Sequence, residues 1–169
     1  MLSIVVLTVL LVIVDHLTKF LATTYLAPLG SVTLIPGVMD LRYILNDGVA
    51  FGLFAGGNAT IALLIVTGIV LVAFAAYLLV KRPPWGLERI SLVLILAGGL
   101  GNFIDRLFNG AVVDFFATTF MDFPVFNVAD CFVTIGVCLL VISVFREEFG
   151  AKKENVLLKK DESNEHDAI

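Results

Sequence analysis

Two carboxylates in apolar surroundings are the side chains of this sequence best placed to do chemistry. Asp114 stands among valines and phenylalanines in the run AVVDFF at 111–116, and Asp130 follows sixteen residues later. Burial near lipid raises the pKa of a carboxyl group such as Asp114, because it disfavours the charged form. Asn127 is a good N-cap that places Asp130 at N3 of a helix, where free amides favour an anion. Two carboxylates in such different settings can divide the roles of acid and base.

Each of these aspartates also has an ordinary interpretation. Asp114 could be a solvent-facing loop residue, although its apolar flanks argue against that. Asp130 could be only a capping-box carboxylate that accepts hydrogen bonds from the helix start. Pro124 and the short connection that follows it return the chain towards Asp114, so we expect the two carboxylates to meet.

Further charged and polar residues lie within or beside apolar segments, where a charge is costly and marks a function or a required partner. Asp15 and Lys19 have the i,i+4 spacing of a helical ion pair, and a structural pair is the favoured interpretation. Asn102 and Arg106 share a helix face beside Asp105, and Arg106 could pair with Asp105 or another carboxylate. This group fits a structural cluster and the support of a site equally well.

Competing chemistries lack the residues that they need. The chain has two histidines, His16 and His166, and no HExxH motif or His/Cys cluster that could hold zinc. Cys131 and Cys138 lie seven residues apart and are typical of packing thiols rather than a disulfide framework. We therefore expect neither a metal nor a cofactor.

The composition defines the protein class. Of the 169 residues, 59% are hydrophobic and 15% charged, against about 45–50% and about 25% in an average soluble domain. The net charge is −4, so no basic face is available for nucleic acid. These values exclude a soluble enzyme, a disordered chain and a nucleic-acid binder, and they indicate an integral membrane protein.

Four segments are long enough to cross a bilayer, which takes about 20 apolar residues. They run approximately over 2–21, 60–80, 87–108 and 128–145. The first lacks a basic n-region and carries Asp15 and Lys19 just past its apolar run, so we interpret it as a retained span rather than a cleaved signal peptide. Gly98, Gly99 and Gly101 in the third are typical of close helix packing.

The segments between the spans predict a small sheet and an orientation. Runs at 31–35, 38–45 and 111–116 are β-prone, and turn signals separate them. Cytoplasmic loops of membrane proteins are rich in Lys and Arg. Most of the basic residues lie between the second and third spans or after the fourth: Lys81, Arg82, Arg89, Arg146, Lys152, Lys153, Lys159 and Lys160. Both termini are therefore predicted to be cytoplasmic, with the sheet and the two aspartates on the outer side.

Five short motifs occur in one order along this four-span chain. They are DHLTK at 15–19, NDGVAF at 46–51, GGLGNFIDR at 98–106, GAVVDF at 110–115 and FNVAD at 126–130. Together they resemble the bacterial lipoprotein signal peptidase (signal peptidase II) family. The resemblance covers residues 1–147, and the charged segment 148–169 is predicted to be a disordered cytoplasmic tail.

The resemblance implies a fold and an activity. The fold is an all-α integral membrane protein with four transmembrane helices and a small extracytoplasmic β-cradle. The activity is that of an aspartyl endopeptidase that cuts prolipoproteins just before a diacylglyceryl-modified cysteine. By motif, Asp114 and Asp130 match the catalytic aspartates, and we expect the other residues of the motifs to support the site or bind substrate: Asp15, Lys19, Asn46, Asn102, Asp105, Arg106, Asn127 and Ala129. His16, where many members have Gln, and Val49, where many have Ala, depart from the pattern.

The resemblance also implies partners and a location. These are a lipid-modified prolipoprotein, membrane lipid and a globomycin-type inhibitor, in the bacterial plasma membrane, and a monomer suffices. We expect one aspartate to activate water while the other protonates the scissile carbonyl. Two other classes stay open at this stage: a transporter or proton relay with intramembrane acids, and a passive assembly factor that would tolerate replacement of both aspartates.

Overall fold

Four helices that are long and apolar enough to span a membrane form the body of the protein. The computed structural model describes residues 2–48 and 58–166. The helices are α1 (Leu2–Leu21, continued by a π-helical turn over Ala22–Leu26), α2 (Asn58–Lys81), α3 (Leu87–Asn109) and α4 (Val128–His166). Three strands complete the fold, namely β1 (Ser31–Ile35), β2 (Met39–Asn46) and β3 (Val112–Thr118). The predicted four spans with a small sheet are thereby confirmed.

Helix α3 lies at the centre of the bundle, and the other three helices pack on it. Its buried side chains include Leu92, Val93 and Leu96, which form the main apolar core with Ile4 of α1 and Leu71 of α2. Most other apolar side chains of α1, α2 and α4 are exposed, as expected of faces that contact lipid.

Glycines bring α4 into direct contact with α3. A Cβ atom at Gly98 would collide with the Ala129 carbonyl oxygen, and one at Gly136 would lie 2.8 Å from the Ser91 carbonyl oxygen. Backbone atoms cannot move aside as a side chain can. The predicted close packing at the α3 glycines is confirmed: Gly98 meets the first turn of α4, Gly99 meets Leu71 of α2, and Gly101 meets Asp15 of α1.

The three strands form an antiparallel sheet in the order β1-β2-β3. Ile44 of β2 lies opposite Asp114 of β3, and Asn46 lies opposite Val112. The other side of β3 is bonded to the chain just before α4: the Phe116 N–H donates to the Phe126 carbonyl oxygen at 2.8 Å, and the Phe126 N–H donates to the Phe116 carbonyl oxygen at 3.1 Å. This bridge fixes the start of α4 beside the middle of β3.

The backbone of α4 stays helical to His166. The helix therefore runs through most of the segment 148–169, whose composition predicts disorder. The division into a domain over 1–147 and a tail over 148–169 stays a prediction. The residues 49–51 of the second motif, including the unusual Val49, lie outside the described residues.

Candidate active site

A buried ammonium group lies near the C-terminal end of α1. The Lys19 Nζ atom donates to Asp15 Oδ2 at 2.7 Å, to Asp105 Oδ2 at 2.7 Å and to Asn102 Oδ1 at 2.9 Å. Lys19 is 3% exposed and Asp15 is fully buried. A lysine has three N–H donors, and all three are used here. The predicted Asp15–Lys19 pair is present, as one part of a larger ion cluster formed by Asp15, Lys19 and Asp105.

The second oxygen of Asp15 attaches α4 to this cluster. The Ala129 N–H donates to Asp15 Oδ1 at 2.9 Å, and this bond satisfies one of the amides that a helix start leaves free. Ala129 is fully buried. A Cβ atom at Gly101 would collide with the Asp15 carboxylate. Gly101 and Ala129 are therefore small because the carboxylate lies between their helices, a contact that their spacing in the sequence does not reveal.

Asn102 and Asn127 connect the ion cluster to Asp130. The Asn102 Oδ1 atom accepts from Lys19 and, at 3.1 Å, from Asn127 Nδ2, while Asn102 Nδ2 donates to Asp130 Oδ1 at 2.8 Å. The Asn127 N–H donates to Asp130 Oδ2, and the Asp130 N–H donates to Asn127 Oδ1, both at 3.0 Å. This reciprocal pair is a capping box, so the predicted N-cap and N3 positions are confirmed.

Asp114 lies on β3, where two amide side chains bond its carboxylate. Asn127 Nδ2 donates to Asp114 Oδ1 at 2.6 Å, and Asn46 Nδ2 donates to Asp114 Oδ2 at 2.9 Å. Asn46 is itself held by the turn after β2, since its Oδ1 accepts from the Gly48 N–H at 2.9 Å. Asp114 is 2% exposed, and this burial raises the pKa of its carboxyl group, with a further rise from the negative charge of Asp130. The hydrogen bonds from Asn46 and Asn127 act in the opposite direction without reversing the shift.

Asp114 and Asp130 open onto one cavity of about 500 Å³. Asn46 lies at its wall with them, and the rest of the lining is mainly apolar, including Phe123 and Phe126. Asp130 and Thr134 also border a second cavity, of about 360 Å³, which lies between α2, α3 and α4. Asn127 bonds both carboxylates, Asp114 through its side-chain amide and Asp130 through its backbone N–H. Two carboxylates held in this way at one mainly apolar cavity can hold a water molecule between an acid and a base.

Arg106 does not make the ion pair that its spacing suggests. No carboxylate lies within ion-pair distance of it among residues 2–48 and 58–166; its Nη1 atom donates to the Asn102 carbonyl oxygen at 3.4 Å, and its buried Nε atom has no partner there. Asp105 is instead bonded by Lys19 and approached by His16, whose Nδ1 atom is 3.5 Å from Asp105 Oδ1. Arg106 lines the smaller cavity beside Asn102 and Asp130.

The ion cluster also has donor atoms of the kind that metals bind. Asp15, His16 and Asp105 offer ligand atoms within 4.8 Å of one another. The Lys19 ammonium already bonds one oxygen of each aspartate, so a protein side chain supplies the positive charge that a cation would bring.

Residues 7–146 of the chain match the family model described as signal peptidase (SPase) II. The chain belongs to the signal peptidase II family. It is therefore a multi-pass membrane protein of a protease family, and the predicted resemblance is confirmed.

Curated relatives and solved structures agree with this assignment. Two proteins named lipoprotein signal peptidase, from Streptococcus pyogenes serotypes M2 and M5, are 40% and 39% identical over 142 residues, which is 83% of this chain and 91% of each relative. A bacterial membrane enzyme solved in meso at 2.3 Å is 33% identical with a TM-score of 0.75, covering 86% of this chain and 89% of that one. Another, solved at 1.9 Å, is 34% identical with a TM-score of 0.76 over 84% and 92%.

Proposed function

We propose that this protein is an aspartic endopeptidase that removes signal peptides from prolipoproteins by cleaving before a diacylglyceryl-modified cysteine. The observation that carries the proposal is the position of Asp114 and Asp130, which one amide, Asn127, holds at the wall of one apolar cavity. The family and the names of the relatives indicate the substrate class. Such a substrate is both a peptide and a lipid, and the mainly apolar lining of the cavity suits its lipid part.

In the proposed reaction the two carboxylates exchange protons with water and substrate. Asp130, at the start of a helix and bonded by two N–H donors, is ionised and takes a proton from the attacking water. Asp114, which is buried and more readily protonated, donates its proton to the oxygen of the scissile carbonyl. When the tetrahedral intermediate collapses, the C–N bond breaks, the proton held by Asp130 passes to the leaving nitrogen, and Asp114 recovers its own from the former carbonyl oxygen.

The other residues of the motifs have supporting roles in this proposal. Asn46 and Asn127 orient Asp114, Asn102 orients Asp130, and the ion cluster holds Asn102 and the first turn of α4 in place. Arg106 faces the substrate from the smaller cavity. No step requires a metal or a cofactor.

The orientation of the site follows from the charge distribution. Lys81, Arg82 and Arg89 lie at the opposite end of the bundle from the aspartates, and cytoplasmic ends are rich in such residues. We therefore place both termini in the cytoplasm of a bacterial cell and the aspartates near the outer face of the plasma membrane. Lipid-modified cysteine would reach them sideways from the outer leaflet.

Replacement of each aspartate tests the proposal. Asp114→Asn and Asp130→Asn should each lower turnover of a purified, lipidated prolipoprotein peptide by about 10²–10⁴-fold, because each removes a proton-transfer group. Asp122→Asn is the matched control, since Asp122 is exposed on the loop after β3. A globomycin-type inhibitor should block the wild-type reaction.

The outcomes also separate a protease from a proton relay or transporter. A protease releases the signal peptide without any ion gradient, whereas a transporter moves an ion in vesicles and releases no peptide. Substantial turnover by either Asp→Asn variant, with Asp122→Asn unaffected, would contradict the aspartate pair.

A further inference from the structure

A groove runs along α3 between α2 and α4, from Asp130 to the opposite end of the bundle. Its outer part is the cavity of about 360 Å³ that Asp130 borders, and a second cavity of about 410 Å³ lies further along the same three helices. The residues that line the two cavities are adjacent along the helices. On α2, Val70 of the first cavity is about one turn from Ala73 of the second, and on α3, Ile95 of the first is about one turn from Leu92 of the second. The two cavities are successive parts of one surface.

The inner end of this groove carries negative charge. Glu88 of α3 and Glu147 of α4 both line the inner cavity, and the Tyr77 hydroxyl donates to Glu88 Oε1 at 2.6 Å. No lysine or arginine is among the described residues that line it. Arg89, which follows Glu88, is engaged elsewhere, because its guanidinium lies 5.2 Å from the centre of the Trp85 ring and donates to the Arg82 carbonyl oxygen.

The walls between the two ends are mainly apolar, with Thr67, Thr134 and Ser143 as their polar members, and the length of the groove is that of a short helix. Leu140 and Val144 of α4 continue the lining between Thr134 and Glu147. Seventeen residues separate Asp130 from Glu147, which corresponds to about 25 Å along α4. The apolar h-region of a signal peptide has up to about 15 residues and follows a positively charged n-region. As a helix it would be about 22 Å long.

We propose, resting on the function proposed above, that this groove holds the signal helix of the substrate and that Glu88 and Glu147 bind its basic n-region. The charge complementarity and the matched length both lead to this occupant. With the n-region at the two glutamates, the end of the h-region lies at the level of Asp130, where the bond to be cleaved must be. The two ends of the groove thereby set the register of the substrate.

Charge-neutral variants of the two glutamates test this assignment in the full-length protein. The double variant Glu88→Gln/Glu147→Gln keeps an acceptor for the Tyr77 hydroxyl and removes only the charges. We expect it to raise KM about two- to five-fold for a lipidated prolipoprotein with two lysines in its n-region, as lost exposed ion pairs would, with kcat unchanged. For a substrate in which both lysines are glutamine, KM should equal that of the wild-type enzyme.

The controls separate a lost ion pair from a damaged fold. Glu148→Gln, at the exposed neighbour that does not line the cavity, should leave KM unchanged for both substrates. Charge reversal, with Glu147→Lys and an n-region carrying two aspartates, should restore a low KM. An unchanged KM of the double variant for the basic substrate, or an equal rise for both substrates, would overturn the assignment. Failure of the wild-type enzyme to cleave either substrate would instead contradict the proposed function.

Discussion

Asn102 connects two groups of aspartates in this structure, and the groups differ in what balances their charge. Asp15, Asp105 and Asp114 are buried, and Asp130 is half-buried. In the ion cluster, Asp15 and Asp105 each receive a bond of 2.7 Å from the Lys19 ammonium. In the aspartate pair, Asp114 and Asp130 receive hydrogen bonds from amides, and the described residues place no cation within ion-pair distance of either. Burial of two uncompensated charges is unfavourable, so a shared proton suits the pair. Identical side chains thus acquire a structural or a chemical role from their neighbours.

Asn102 couples the two groups. Its Oδ1 atom accepts from Lys19, which has no acceptor atoms, so its amide cannot reverse without placing an NH₂ group against an ammonium. In the orientation that remains, Nδ2 must face Asp130 and donate to it. The ion cluster therefore determines which partner Asp130 has, although it does not touch that residue.

Removal of the ammonium should break the ion cluster and have the largest effect on stability. Lys19→Met leaves Asp15 and Asp105 buried without their counter-charge, and loss of one partner from a buried pair costs about 3–5 kcal/mol. Thermal unfolding of the purified protein in detergent measures this loss. Lys81→Met, at an exposed lysine at the end of α2, is the control and should change stability by less than about 0.5 kcal/mol.

Thermal unfolding of a variant of the aspartate pair tests whether the pair differs from the ion cluster in its contribution to stability. Asp114→Asn removes a buried carboxyl group that no cation balances, and it should unfold close to the wild-type temperature while losing turnover. A Lys19→Met protein as stable as wild type would contradict the structural role of the ion cluster.

The contact between α3 and α4, which brings the ion cluster and the aspartate pair together, can be tested with a substitution of smaller expected effect. Gly98→Ala places a methyl group against the Ala129 carbonyl oxygen, and overpacking of this kind costs about 1–3 kcal/mol. Gly99→Ala is the matched control, since its Cβ atom would meet only the Leu71 Cδ2 atom, the end of a flexible side chain. Unfolding midpoints that rank wild type, Gly99→Ala and Gly98→Ala in descending order would agree with this account, and equal loss in both variants would not.

Much of this arrangement could be predicted from the sequence, and the part that could not has a physical reason. The spans, the three strands, the Asp15–Lys19 pair and the Asn127 cap depend on composition or on spacing within one element, which local rules describe. The bond between Ala129 and Asp15, and the bridge that Asn127 makes to Asp114, join residues that are distant in sequence or lie on different elements. They depend on how α1, α3, α4 and β3 pack together.

Arg106 illustrates the same limit from the other side. The sequence allows Arg106 to pair with Asp105 or with another carboxylate, yet Lys19 of α1 is the cation that bonds Asp105. A helical pattern shows which residues share a face, but it cannot show which of several competing charges arrives from another helix.

The pH dependence tests the aspartate pair through one of its donors. Asn46→Ala removes a bond that favours the charged form of Asp114, so the pKa of Asp114 should rise further above its ordinary value. Because the proposed acid must be protonated, activity falls as the pH rises through this pKa, and the variant should keep its activity to a higher pH than wild type. The pH profile of kcat measures this, with Asn109→Ala, at an exposed residue, as the control. A shift to lower pH would contradict the assigned roles.

His16 is the member of the ion-cluster region whose replacement should matter least. Its Nδ1 atom is 3.5 Å from Asp105 Oδ1, and its side chain is 34% exposed, whereas Lys19 bonds the other oxygen of the same carboxylate at 2.7 Å. Since Lys19 already balances Asp105, His16→Gln should change stability by less than about 1 kcal/mol and leave turnover unchanged. Thermal unfolding in detergent and turnover of the lipidated peptide measure these two effects. A loss of stability as large as that of Lys19→Met would show that His16 also balances the charge of Asp105, and it would contradict this ranking.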